Sequence, residues 1–270
     1  MPETSRITSS KKESLKGLLL SKLRAIVSHD PVVLGWTRRL YVSLGFGEKN
    51  ESDYLFDLAR SEKGIFVLQV GANDGKRHDS VSPFIHKYRW QGLLLEPLPD
   101  IFEALRLNYA NRSNVVLINA ALADRDGEMT FYRVRPGPEV PDNCNELGSF
   151  YRDVILKHTY LFPQIEKYIS TQIIEAVSFP TLVQRHNVQK IDALIVDTEG
   201  FDFEILKLAD FQRFRPKVVI YEHMHLNKED QEAARQLLAD LDYDVHPLRK
   251  SGDANTVAID ARRGKAITRK

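Results

Sequence analysis

Short apolar runs alternate along the chain with stretches of helical periodicity. Ile65 to Val70 is almost wholly apolar, rich in β-branched and aromatic residues and bounded by Gly64 and Gly71. That is how a strand buried on both faces reads. Gly92 to Leu95, Val115 to Ile118, Ile191 to Val196 and Val218 to Tyr221 have the same character. Between them, Pro99-Asp100 opens a helix with Phe102, Leu105, Leu107 and Tyr109 mostly on one side, and further helices are predicted over 179–187, 203–208 and 229–241. Ser82 to Tyr88 is short for a helix and contains Pro83, which a helix tolerates only in its first turn. Glu128 to Val134 alternates as a strand introduced by Asp126-Gly127, and Tyr243 to Pro247 with Thr256 to Asp260 predicts a closing antiparallel pair. Strands and helices in this order predict an open, mostly parallel α/β sheet.

The alternation breaks from Arg135 to Ala176. This stretch opens with Pro136, Pro138 and Pro141, passes through Gly148-Ser149-Phe150 and carries Tyr151, Tyr160, Phe162 and Tyr168. A long aromatic excursion at the ligand end of a sheet predicts a lid or acceptor wall. At the other end, Met1 to Lys12 is polar and predicts disorder. Leu15, Leu18, Leu19, Leu23, Ile26 and Val27 then recur at helical spacing, with Lys16, Lys22 and Arg24 on other faces. A basic amphipathic helix suits an anionic membrane surface, its own domain or a second subunit. Packing is the reading favoured, which leaves peripheral membrane contact and a homo-oligomer open. Trp36 to Leu44 predicts a second short helix stopped by Gly45 and Gly47, and Tyr54 to Ala59 leads into the first strand. The expected organisation is a basic arm (1–60), a catalytic body (61–262) containing the excursion (135–176), and a basic tail (263–270).

Composition changes this picture little. With 43% hydrophobic and 28% charged residues, the 270-residue chain is an ordinary globular protein, long enough for one decorated α/β domain. Cys144 is the single cysteine, so an internal disulfide is excluded. No apolar run approaches the ~20 residues needed to span a bilayer, and no signal-peptide core stands at the N-terminus. A cytoplasmic location is expected. The net charge of +1 hides an asymmetry, because the first 50 residues carry nine Lys/Arg against four Asp/Glu. The basic ends read as solvated tails, and no nucleic-acid partner is expected.

The candidate chemistry lies where strands end. The first run passes into Gly71-Ala72-Asn73-Asp74-Gly75, residues that tolerate unusual backbone angles and bring N–H groups close to a ligand. The second run ends in Glu96, about one strand–helix–strand unit later. A loop for one part of the ligand and an acid for a ribose diol is how an open α/β sheet binds a nucleotide-like ligand. The spacing G-x-x-x-G departs from the dinucleotide pattern G-x-G-x-x-G. Asp74 inside the loop would repel a pyrophosphate but suits a cation such as the α-ammonium of S-adenosylmethionine. Two later strands end in Asp197-Thr-Glu199-Gly-Phe-Asp202 and in Glu222-His223-Met-His225, delivering ionisable groups to the edge where such sheets bind ligands. Asp202 could instead serve its own helix, and His225 could be a surface residue.

Gln69-Val-Gly-Ala-Asn-Asp-Gly75, Leu95-Glu-Pro97, Asn119-Ala-Ala-Leu-Ala123, Asp197-Thr-Glu-Gly-Phe-Asp202 and Tyr221-Glu-His223 together resemble the FkbM-type S-adenosylmethionine-dependent methyltransferases. The resemblance covers Ile65 to Asp260. It implies a Rossmann-like class I methyltransferase fold, a mostly parallel seven-stranded sheet with an antiparallel last strand and helices on both faces. It also implies S-adenosyl-L-methionine as cofactor and O-methylation, often of sugar hydroxyls in glycans or natural products. Carried over, Gly71, Asn73 and Gly75 would approach the methionyl end, Asp74 would meet its ammonium, and Glu96 would accept both ribose hydroxyls. Ala120 would lie against the adenine, and Asp197 and Glu199 beside the transferring methyl. Many members carry Lys two positions before the first aspartate of the D-x-E-G motif; Ile195 stands there in this chain, so a lysine-dependent role does not carry over.

Methyl transfer to an alcohol needs alignment and removal of a proton. His223 is the first candidate base, its unperturbed pKa lying nearest neutrality, with Glu199 second. A Mg²⁺ or Mn²⁺ ion held by Asp197, Glu199, Asp202, Glu222 and His223 is an alternative, although no tight ligand spacing demands a metal. A non-catalytic binding module is a second class of reading, weakened by the intact loop and Glu96. A nicotinamide oxidoreductase is a third, disfavoured by the loop spacing and Asp74. The acceptor, a small molecule or a glycan, is not encoded in any motif.

Overall fold

The structure, a computed structural model, describes residues 38, 42, 44, 48–77, 79–248 and 254–262. The polar N-terminal stretch, the amphipathic helix expected from Leu15, most of the one from Trp36 and the basic tail lie outside the described residues. In order, the chain runs α1 (Glu51–Ser61), β1 (Phe66–Val70), α2 (Ser82–Tyr88), β2 (Gln91–Leu95), α3 (Pro99–Asn108), β3 (Val115–Ile118), β4 (Ala121–Ala123) and β5 (Gly127–Val134). It continues through β6 (Gly148–Ser149), α4 (Arg152–Leu156), β7 (Ile169–Ser178), α5 (Phe179–Arg185), β8 (Ala193–Val196) and α6 (Asp202–Leu208). The last elements are β9 (Val218–Glu222), α7 (Lys228–Asp240), β10 (Tyr243–Pro247) and β11 (Asn255–Asp260).

Seven strands form the main sheet in the order β10-β11-β9-β8-β1-β2-β3. β9, β8, β1, β2 and β3 pair in parallel, while β11, last in the chain, inserts antiparallel between β9 and β10. This is the Rossmann-like arrangement expected. Successive side chains of a strand face opposite ways, so each buried strand feeds two cores. Leu68, Val70, Val196 and Tyr221 pack with Leu182, Leu206 and Leu238 of α5, α6 and α7. Val67, Ala193 and Ile220 pack with Leu55 and Leu58 of α1, Ile85 of α2 and Leu105 of α3.

Several local expectations are refined. Asn50 and Asp53 form a reciprocal capping box that starts α1. Leu55, Phe56 and Leu58 of that helix are buried. The short α2 does form, with Pro83 in its first turn. Leu105 and Tyr109 of the α3 region are buried, but Leu107 points outward at 63% exposure, since a two-residue step turns a helix by about 200°.

The excursion is not irregular throughout. Its last residues form β7, the long partner of β5 in a second sheet ordered β4-β7-β5-β6. Buried Arg133 on β5 clamps Asp100 at the start of α3 with two bonds of 2.6 and 2.9 Å. Those bonds hold the Asp100 carboxyl below its usual range and fix the small sheet against the main one.

The loop after β1 touches the end of β8. Gly71 has φ +81°, and a Cβ there would lie 1.7 Å from the Asp197 carbonyl oxygen. Both the backbone angle and the contact require glycine. Gly71→Ala is expected to destabilise the protein by at least about 2 kcal/mol, measured by denaturant unfolding. Unchanged stability would mean that the loop does not press on β8.

Candidate functional site

The parallel strands end around a cleft of about 660 Å³, open at its mouth. Gly71, Asn73, Glu96, Ala120, Asp197 and Glu199, all read from the sequence, line it. Gly71 and Ala72 donate their N–H groups to Leu95 O at 3.0 and 2.8 Å, which turns the loop back over β2. The amide of Asn73, itself at φ +47°, then reaches Glu96 Oε2 at 3.1 Å, and Leu98 N donates to Oε1 at 2.9 Å. Glu96 is 6% exposed, and burial pushes its pKa up to about 7 despite these two amides.

Two predicted loop residues do other work. The Asp74 carboxylate accepts the N–H groups of Lys76 and Arg77, both at 2.8 Å, so it closes its own turn and lines no part of the cleft. Side chains that bond nearby main chain in this way build turns. Gly75, at φ +71°, is a packing glycine: a Cβ there would meet the Tyr109 ring at 2.4 Å. An acid the sequence did not single out, Glu146 from the excursion, lines the cleft instead. It accepts from Asn73 Nδ2 at 3.0 Å and pairs with Arg77. A smaller adjoining hollow shares Gly71, Asn73 and Asp197 with the cleft and adds Glu51, Gln69 and Asp79.

At the ends of β8 and β9 the acids separate by role. Asp202 is fully buried and ties the region together: it accepts from Thr198 Oγ1 at 3.0 Å, Gly200 N at 3.3 Å and Glu222 N at 3.2 Å. Burial, then the charge of Asp197, raises its pKa to about 7. Glu199 sits at φ +50°, a left-handed conformation rare for a glutamate, and Ser149 of the small sheet donates to its carbonyl at 2.7 Å. Burial and neighbouring acids raise the Glu199 and Glu222 carboxyls well above the usual range.

His223 does not join these acids. Its ring turns to Thr256 Oγ1, 3.0 Å away, and burial, then Arg235, lowers its pKa. It is absent from the cleft wall. Alternation explains this: His223 shares the strand face of Tyr221, whose register partner on β11 is Thr256. His225, two residues on and past the strand, is the histidine that approaches, with Nε2 3.3 Å from Glu199 Oε2 and 3.6 Å from Glu222 Oε1. It is buried, not a surface residue, and burial, then the positive charge of His158 and Lys157, lowers its pKa to about 4. His158, from the excursion, lies against it, its ring tilted by 39° with centroids 4.7 Å apart. No local pattern marked His158, whose place depends on how the excursion folds.

Aromatic side chains form the remaining wall. Phe131, Phe150 and Phe201 line the cleft, Phe150 lying edge-on to Phe131 at 5.0 Å and 4.7 Å from Phe201. Gly148 opposite is tight, since a Cβ would meet Phe131 at 2.6 Å. The cleft is thus apolar around Ala120, Leu122 and these rings, and acidic around Glu96, Asp197 and Glu199.

Comparison with known proteins agrees with the strand-end motifs. The chain is similar to the structure of methyltransferase FkbM from Methylobacillus flagellatus KT (13% identity, 89% of this chain, 58% of that one, TM-score 0.48). It thus spans little more than half of that protein's length. It is also similar to a methyltransferase from Geobacter sulfurreducens (13% identity, 96% and 99% of the two chains, TM-score 0.43). A third similar structure is the O-methyltransferase from Bacillus cereus in complex with SAH (9% identity, 92% and 99%, TM-score 0.46). No curated protein matches the chain. The family described as the methyltransferase FkbM domain matches residues 69–245, well over half of the chain. The protein belongs to the FkbM methyltransferase domain family.

Proposed function

We propose that the protein transfers a methyl group from S-adenosylmethionine to a hydroxyl of a sugar, glycan or glycosylated natural product. The observation that carries the reading is the buried Glu96 carboxylate, held by the Asn73 and Leu98 amides at the wall of a half-apolar cleft. The residues present fit the cofactor. Two amides leave Glu96 with lone pairs for a ribose diol, and Ala120, Leu122 and Leu98 offer an apolar seat for adenine. Asp197, with Glu51 and Asp79 of the adjoining hollow, gives the cationic methionyl end an acidic lining in place of Asp74. Bound there, the cofactor supplies an electrophilic methyl on sulfur.

What the protein adds is placement and a proton acceptor. Phe150 and Phe201 present faces on which a sugar ring can stack. Glu199 replaces His223 as the base, because it lines the cleft and burial with neighbouring acids raises its carboxyl above the usual range, making it a stronger proton acceptor. Alignment of the acceptor oxygen with the methyl supplies the larger part of the rate, by an effect of ~7–11 kcal/mol for well-oriented partners. Among the described residues no helix is long and apolar enough to cross a membrane.

Two measurements test this. Calorimetry with S-adenosylmethionine should give binding that weakens as pH falls below about 7, the pKa of Glu96 in the empty cleft. The sign follows from linkage: ribose hydroxyls donate to the ionised carboxylate, so below that pH binding must first expel a proton, at up to about tenfold per unit. Glu96→Gln should flatten the profile, and Glu96→Ala should cost ~1.5–3 kcal/mol; unaltered affinity in the folded variants would remove Glu96 from the cofactor site. With labelled cofactor and a panel of sugars, glycans and lipids, labelled product should appear by mass. Glu199→Gln should lower kcat by ~10²–10⁴ and leave cofactor affinity nearly intact. A Glu199→Gln enzyme with wild-type turnover would place the base elsewhere.

A further inference from the structure

We infer that His158, Glu199 and His225, with Glu222 behind them, form a binding site for a divalent transition-metal ion such as Zn²⁺ or Mn²⁺ at the edge of the cleft. Among the described residues, one donor atom from each of His158, Glu199 and His225 lies within 4.8 Å of the other two. A tetrahedral ion with ligand bonds of ~2.0–2.1 Å separates its ligand atoms by about 3.3 Å. His225 Nε2 and Glu199 Oε2 are 3.3 Å apart, and His225 Nε2 and Glu222 Oε1 are 3.6 Å apart. His158 Nε2 stands 4.0 Å from Glu199 Oε2, so side-chain adjustment of about 0.7 Å would bring that pair to the ~3.3 Å tetrahedral separation.

Three further observations mark a built site. His158 Nδ1 lies 3.2 Å from Val154 O, which fixes the proton on Nδ1 and turns the lone pair of Nε2 toward the cluster. A ligating histidine held through its other nitrogen is the usual outer support of a metal site. Glu222 is 8% exposed, and its Oε2, like Glu199 Oε2, is buried with no hydrogen-bond partner. Such unmet acceptors are costly unless something else meets them. Lys157, the neighbouring cation, is engaged with the His225 carbonyl at 3.1 Å and not with the side-chain donors. Two imidazoles beside two carboxylates select a borderline transition ion over Mg²⁺ or Ca²⁺, which prefer oxygen alone. This set differs from the one expected from the sequence: Asp202 is spent on loop amides, and His223 faces Thr256.

The inference concerns the ion itself and stands whether or not the protein transfers methyl groups. Full-length protein stripped with chelator should be titrated with ZnCl₂, MnCl₂ and CoCl₂ by calorimetry. One ion per chain with Kd about 10 µM or tighter is expected for Zn²⁺ or Mn²⁺. His158→Gln and His225→Gln should each weaken binding by more than the ~10–100-fold typical of losing an outer-shell partner. Circular dichroism and thermal unfolding check that each variant is folded. Should both variants fail to fold, the visible spectrum of Co²⁺-loaded wild type decides, low-coordinate histidine-bound Co²⁺ being the expected result. Absence of binding tighter than about 100 µM for all three ions, a spectrum of hexa-aqua Co²⁺, or unchanged affinity in the folded variants would overturn the site.

Discussion

A carboxylate buried beneath a ligand cleft can be kept only where main-chain amides reach it, and the site is built on meeting that demand at Glu96. The amide of Asn73 reaches Glu96 because the loop after β1 folds back on Leu95, and it folds back because Gly71 takes a left-handed angle. The same glycine lets the loop lie on the Asp197 carbonyl at the end of β8. Three strand ends are thereby held in register by one charged group and one missing side chain. A buried carboxylate without those amides would face a desolvation penalty of several kcal/mol.

Asp202 plays the corresponding part at the ends of β8 and β9. By taking bonds from the Glu199–Asp202 turn and from Glu222 N, it makes the two acid-bearing strand ends one unit. Glu199 is held in a strained left-handed conformation between that knot and the Ser149 hydroxyl. Strain of this kind persists where surrounding structure over-determines it. The carboxylate at the cleft wall is therefore set by two different sheets.

Much of this was legible in the sequence, because the buried strands, the glycine-rich loop and Glu96 are local patterns whose meaning depends on a few neighbouring residues. The parallel order and the antiparallel β11 followed from the resemblance, and Ala120, Asp197 and Glu199 line the cleft as expected. What could not be read turned on competition between partners. Asp74 has the right charge, but its carboxylate accepts two amides of its own turn. His223 has the right pKa in isolation, but strand alternation gave it to Thr256, and the turn after the strand brought His225 to the acids. β7 was hidden by its polar, exposed alternate positions, and His158 by its position in a stretch whose fold is set by long-range packing.

Only Asn119 and Ala120 separate β3, an edge of the main sheet, from β4, an edge of the small one. Ala120 lines the cleft at that junction, and Arg133 bolts the two sheets together nearby through Asp100. The cleft is consequently a seam within one body and not a gap between two hinged domains. Passage in and out then falls to side chains at the rim, chief among them half-exposed Tyr151 beside Phe201. Exposed ring motions are fast on the scale of domain closure. Among the described residues, what such a seam offers a molecule is a space to fill between two sheets fixed to each other.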